Sequence, residues 1–146
     1  MKNNQQQLTQ LSRLTYQTEQ LYRLWARQQG INFHQLITLY ELYNQKQCTQ
    51  KEIIRIWRIP KQTLHTVCDH FIKAGIIAVL PGRSADQRER LMTLTTAGQK
   101  LAQPIVTKLI TFEDQLTNQL VPGSLQQAVE TMSKFNHLFT ETLKKN

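Results

Sequence analysis

Residues 81–98, Pro-Gly-Arg-Ser-Ala-Asp-Gln-Arg-Glu-Arg-Leu-Met-Thr-Leu-Thr-Thr-Ala-Gly, constrain the fold more than any other stretch of this chain. Ile76 to Leu80 is a short apolar run that reads as a strand, and Pro81-Gly82 bends it. Arg83 to Gln87 forms a tip, and Arg88 to Leu94 alternates as a return strand with Leu91 and Thr93 on one face. Leu94-Thr95-Thr96-Ala97-Gly98 then leads into a helix that starts near Thr96. The pattern predicts a tight hairpin with a cationic tip, Arg88 lying two residues past Asp86, running straight into a helix.

Immediately upstream lies a pair of short helices joined by a turn. Thr49-Gln50-Lys51-Glu52 is a capping box, in which Thr49 caps a helix that continues through Trp57 and Glu52 reaches back. Arg58-Ile59 makes the turn. Pro60 suits the first helical position of the next helix, where its missing N–H has no helical partner in any case. That helix is expected over Lys61 to Ala74, with Leu64, Val67, Cys68, Phe71 and Ile72 facing inward, and Gly75 ends it in the left-handed conformation. Its outer face near the N-terminus offers Lys61, Gln62, Thr63, His65 and Thr66, residue types that donate to phosphates and base edges.

Long amphipathic helices flank this middle block. From Leu8 to about Gln29 the apolar residues Leu8, Leu11, Leu14, Leu21 and Leu24 recur at helical spacing, and Gly30 closes the run. A second helix is expected from Phe33 to Asn44 with Asn32 as its cap, followed by a polar break and a very short strand at Cys48. After the hairpin, Leu101, Ile105, Leu109, Phe112, Leu116 and Leu120 stripe a fifth helix, which Pro122-Gly123 breaks. Ser124 with Gln127 reads as another capping box, and Leu125, Val129, Met132, Phe135, Leu138, Phe139 and Leu143 stripe a sixth helix. The fold class is therefore mainly α: a winged helix-turn-helix domain with a small β-hairpin wing, flanked by N- and C-terminal helices. All 146 residues read as one domain, with the winged helix over about 31–100 and a helical dimerisation region over 5–30 and 101–146. The dimerisation candidates are Leu8, Leu11, Leu14, Leu125, Val129, Met132, Phe135 and Phe139. A dimer clasped by these stripes would set two recognition helices about 34 Å apart, one turn of duplex DNA.

Charge placement agrees with a phosphate-binding middle. The net charge is +8, and residues 46–100 carry ten Lys or Arg against four acids. The 45 residues before that block and the 46 after it are near balance. Neutralising phosphates releases condensed counterions, so such a footprint suits nucleic acid. Other classes find little support. No Gly-rich phosphate loop, nucleophile elbow or HExxH motif is present, so no enzyme is expected. The four histidines lack metal-ligand spacing, and neither metal nor cofactor is expected. Cys48 and Cys68 are twenty residues apart, form no CxxC motif and read as small buried hydrophobes. The longest apolar run is only five residues and the N-terminus lacks an apolar signal core, so a cytoplasmic chain without membrane contact is expected.

At this point the chain resembles the MarR family of winged helix-turn-helix regulators. The resemblance rests on Gly30-Ile31-Asn32-Phe33-His34-Gln35-Leu36, Thr49-Gln50-Lys51-Glu52-Ile53, Thr63-Leu64 with Val67, Asp69 and Phe71, then Gly75-Ile76-Ile77. Asp86-Gln87-Arg88 and Leu94-Thr95-Thr96-Ala97-Gly98 are its most specific element. It implies a homodimer on a pseudo-palindromic operator in double-stranded DNA. Thr49 and Thr63 would hold phosphates, while Lys61, Gln62, His65 and Thr66 would face the major groove. Arg88, oriented by Asp86 and helped by Arg83 and Arg90, would enter the minor groove. It also implies release by a small phenolic or lipophilic effector. The chain departs from the family pattern at several places. Arg58 and Pro60 stand where a small turn residue and a capping serine are usual, His65-Thr66 replaces a commoner serine and arginine, and Gln87 replaces the first arginine of the wing pair. The first-helix cysteine of peroxide-sensing members is absent. Two readings stay open beside a sequence-specific, ligand-responsive repressor. One is a winged-helix adaptor that binds a protein partner; the other is a sequence-tolerant DNA binder.

Overall fold

The computed structural model describes residues 2–81 and 89–146. The hairpin tip drawn over 83–87, and with it Arg83, Asp86 and Arg88, lies outside the described residues. The chain divides into two compact units, Met1–Val106 and Thr107–Asn146.

In the first unit the order is α1 (Lys2–Gln28), α2 (Phe33–Gln45), β1 (Gln47–Cys48), α3 (Gln50–Trp57), α4 (Lys61–Lys73), β2 (Ile77–Val79), β3 (Met92–Leu94) and the opening turns of α5 (Thr96–Thr117). Helix boundaries follow local chemistry. Asn32 caps α2: its side chain accepts from the Gln35 amide at 2.8 Å and the Gln35 side chain accepts from the Asn32 amide at 2.9 Å. This is a second capping box, reciprocal like the one at Thr49, where Oγ1 accepts from the Glu52 amide at 3.1 Å and Glu52 accepts from the Thr49 amide at 3.3 Å. Gly30 and Gly75 adopt the left-handed backbone that ends the helices before them.

The strands form one antiparallel sheet in the order β1-β3-β2. Cys48 pairs with Met92, and Ile77 with Leu94. Pairing in this register puts Cys48, Ile77, Met92 and Leu94 into one core with Leu39, Leu42, Ile53, Leu64, Cys68 and Phe71. The sheet therefore ties the hairpin to the same apolar centre that seats α2, α3 and α4.

Four local expectations change. Pro60 is the N-cap of α4, with extended ψ of 137°, and the helix begins one residue later. The return strand spans Met92–Leu94 rather than starting at 88, and it buries Met92 and Leu94 while Leu91 is exposed. Ile72, expected on the inner face of α4, is exposed. The Ser124–Gln127 capping box does not form: Gly123 is the cap in the left-handed region, and Ser124 Oγ instead donates back to the Val121 carbonyl at 2.6 Å.

The second unit holds the remainder of α5 and α6 (Ser124–Lys145). Leu125, Val129, Leu138, Phe139 and Leu143 stand exposed along α6, and Met132 and Phe135 are half-buried. Phe135 and Phe139 meet edge to face at 5.8 Å between centroids. In the first unit Leu8, Leu11, Leu14, Leu21 and Leu24 are likewise exposed along α1.

Candidate nucleic-acid interface

The helix-turn-helix is assembled around α4. Leu64, Val67, Cys68 and Phe71 are buried at helical spacing, which turns Lys61, Gln62, His65 and Thr66 outward. All four are exposed, and Thr63 is half-buried. Gln62 and Thr66 are linked one turn apart, the Thr66 hydroxyl donating to the Gln62 carbonyl at 2.9 Å. The helix start carries no side-chain cap, and its first internal bond runs from the Leu64 amide to the Pro60 carbonyl at 3.1 Å. The amides of the opening turn therefore point out of the helix beside Lys61, a ready seat for an anion.

The turn into this helix is tightly specified. Arg58 takes the left-handed conformation (φ 56°, ψ 35°), and its amide donates to Ile54 O at 2.7 Å. Ile59 plugs into the core. The exposed cations Arg55 and Arg58 join Lys61 on the exposed surface around the turn. Neither stood among the residues picked from sequence, although Arg55 lies in the last turn of α3 and Arg58 caps it, both next to the start of α4.

Thr49 serves first as the cap of α3; its hydroxyl accepts from Glu52 and keeps its hydrogen for a further acceptor. Arg90 is half-buried at the hairpin base. There a cavity of about 220 Å³ is lined by Gln50, Asp69, Ile72, Val79, Arg90 and Met92. Lys51 reaches Glu89 at 3.6 Å, and Thr93 donates to the Lys46 carbonyl at 3.0 Å. The structure thus brings Arg90 to the first turn of α3 and the exit of α4.

The hairpin's other end is locked to α5 by one residue. Thr95 Oγ1 accepts from the Gly98 amide at 2.9 Å, capping α5, and donates to the Gly75 carbonyl at 2.5 Å. The Thr95 amide donates to Ile76 O at 3.0 Å. A Cβ on Gly98 would sit 2.1 Å from that same Ile76 oxygen. The Leu-Thr-Thr-Ala-Gly run therefore has a packing reason: a hydroxyl that serves two elements at once, and a glycine where the helix meets the backbone just ahead of β2.

Burial shifts three titratable groups of the first unit. Burial pushes the Cys48 thiol up to about 12, with Glu52 and Glu41 adding to it. Burial also pushes the Cys68 thiol up to about 12, with Cys48 adding a smaller part. His34 is lowered by burial and by the Arg23 guanidinium, against the pull of Glu19. Among the described residues no cluster of three or more His, Cys, Asp or Glu could hold a metal ion. Among them also, no helix is long and apolar enough to cross a membrane.

Known proteins place this architecture. The model of the MarR family matches residues 29–88. A MarR family regulator from Neisseria meningitidis is 27% identical, with a TM-score of 0.87 over 96% of this chain and 98% of that one. MarR from Staphylococcus aureus, solved with salicylate and kanamycin, is 16% identical, with a TM-score of 0.72 over 94% and 93% of the two chains. A mutant MarR from E. coli, solved with operator DNA, is 19% identical, with a TM-score of 0.69 over 91% and 96%. No curated protein matches the chain. The fold is a winged helix, and the chain is similar to the MarR family of winged-helix regulators over residues 29–88.

Proposed function

We propose that this chain is a sequence-specific DNA-binding transcription regulator that acts as a homodimer on a pseudo-palindromic operator. The observation that carries the reading is the outer face of α4, where Lys61, Gln62, His65 and Thr66 are exposed beside a helix start without a side-chain cap. In this reading Lys61 and the first-turn amides take phosphate, while Gln62, His65 and Thr66 meet base edges. Thr49 and Thr63 add phosphate contacts. Arg83, Arg88 and Arg90 belong to the wing's minor-groove contact, with Asp86 orienting Arg88. The basic middle of the chain supports the same assignment.

The exposed stripes of α1 and α6 supply the dimer surface in this reading, through Leu8, Leu11, Leu14, Leu125, Val129, Met132, Phe135 and Phe139. Rows of exposed large apolar residues on each helix suit an interaction site. The role is repression relieved by a small phenolic or lipophilic effector, supported by the relative solved with salicylate. The test is selection of bound fragments from a random DNA pool, with sedimentation of the free protein alongside. One enriched palindrome and a dimer at micromolar concentration are expected. Enrichment without a consensus would point to a sequence-tolerant binder, and no salt-dependent duplex binding would point to a protein adaptor.

A further inference from the structure

We infer that the Glu41–Trp57 pair is a positioning clamp that sets the orientation of the recognition helix, and through it the preference for one duplex sequence over another. The inference rests on the DNA reading above.

Glu41 lies on α2 and is only 8% exposed. Both of its carboxylate oxygens are engaged: Oε1 accepts from Trp57 Nε1 at 2.9 Å, and Oε2 accepts from Gln45 Nε2. None of the ion pairs among the described residues includes it. A carboxylate held at a buried site by neutral donors is costly to desolvate, and an apolar residue would fill the space at less cost. What the carboxylate adds is direction, because it accepts along defined lines and fixes the indole ring.

That ring is the last residue of α3. Three residues separate it from α4, and each is restrained. Arg58 is left-handed with its amide bonded to Ile54, Ile59 is buried, and Pro60 has a ring-fixed φ of −56°. A turn this stiff passes the placement of Trp57 directly to Lys61 and Gln62. A roll of α4 by about 10° carries side-chain tips, roughly 5–6 Å from the axis, by about 1 Å. Base-edge hydrogen bonds work within a few tenths of an ångström, so the clamp acts on recognition without touching DNA.

The test compares wild type with Glu41→Gln, Trp57→Phe and the double variant. Each is titrated against the duplex recovered from the random pool and against a scrambled duplex of equal length. Trp25 and Trp57 are the two tryptophans, so the indole N–H region of a proton–nitrogen spectrum holds two signals. Glu41→Gln is expected to move one of them, and Trp57→Phe to delete that same one. Affinity for the selected duplex is expected to fall about tenfold in each single variant, the size of one good base contact, with scrambled-duplex affinity within about twofold. The double variant is expected to be no weaker than the weaker single one, because both remove the same link. Gln45→Ala, at an exposed position, frees one carboxylate oxygen without opening the core. It is expected to lower the ratio of the two affinities about threefold and serves where the others fail to fold. Equal losses on both duplexes, or unchanged affinities in folded variants, would overturn the clamp while leaving DNA binding intact. A wild-type chain that binds neither duplex would overturn both.

Discussion

Gly98→Ala separates two physical effects of opposite sign. Gly98 lies in the first turn of α5 with an ordinary helical backbone, where helix propensity alone favours alanine by about 1 kcal/mol. Packing opposes it. The new Cβ would lie 2.1 Å from the Ile76 carbonyl oxygen, 3.1 Å from its carbon and 3.2 Å from Leu94 Cβ. The nearest obstacle is backbone, just ahead of β2, so no rotamer change relieves it. Restoring ordinary contact needs α5 and the hairpin base to part by roughly 1 Å, beyond the reach of the 3.0 Å bond from the Thr95 amide to that same oxygen. Losing that bond and the Thr95 hydroxyl bond costs about 1 kcal/mol each, and the forced repacking about 1–3 kcal/mol more. Net of propensity, the variant should be less stable by about 2–4 kcal/mol, a fall in Tm on the order of 10 °C for a chain of this size. Thermal unfolding followed by circular dichroism, with urea titration for the free energy, reads it directly. A Tm equal to or above that of wild type would refute the backbone contact and leave propensity as the governing term.

Thr95→Val keeps the shape but removes the hydroxyl that caps α5 and holds the Gly75 carbonyl. A loss of about 1–2 kcal/mol is expected in the same assay, and a loss of only a few tenths would contradict the shared cap. The folded chain holds Cys48 and Cys68 protonated up to about 12, against an ordinary 9.0 for the thiol. Their stabilising contribution is therefore complete below about pH 9 and lost as pH climbs toward 12. Thermal midpoints should fall above pH 9, and the Cys48→Ala, Cys68→Ala double variant should fall less steeply; parallel profiles would argue against buried thiols as the cause. Lys61→Ala should flatten the dependence of log affinity on log salt by about two units for the bound dimer, about one for the phosphate that each protomer's lysine no longer neutralises. An unchanged slope would remove Lys61 from the phosphate-binding set.

The sequence exposed what local chemistry governs. The Thr49 capping box, the left-handed Gly75 and the one-residue strand signal at Cys48 are set by neighbours within a few positions, and each appears where those neighbours put it. The inward set of α4 was legible by spacing except at Ile72, which is exposed beside the buried Phe71. The return strand misled because alternation from Arg88 onward does not reveal which of two faces is buried. Pairing of Met92 with Cys48 and Val79 decides that, and both partners are distant in sequence. Ser124–Gln127 had the composition of a capping box, but a left-handed Gly123 occupies the cap position and sends the serine hydroxyl backward. The link from Glu41 to Trp57 spans sixteen positions and two helices, so no short pattern announces it. Of the proposed DNA-contacting residues, the exposed ones on α4 were readable from the positions of their buried neighbours. Arg58 was passed over because the turn was read only for its geometry, and Arg55 because α3 was read only for its cap.

The bare start of α4 has a thermodynamic corollary. Serine, threonine and aspartate are favoured to complete a helix's opening turn with a side-chain oxygen; this one has a proline there, and no side chain among the described residues caps it. An incoming phosphate oxygen would displace water rather than an intramolecular rival, so no internal bond need be broken on docking. Completion of the helix is thereby deferred to the moment of encounter, and the amides of Gln62 and Thr63 should exchange with deuterium quickly in isolation and slowly once the duplex is seated.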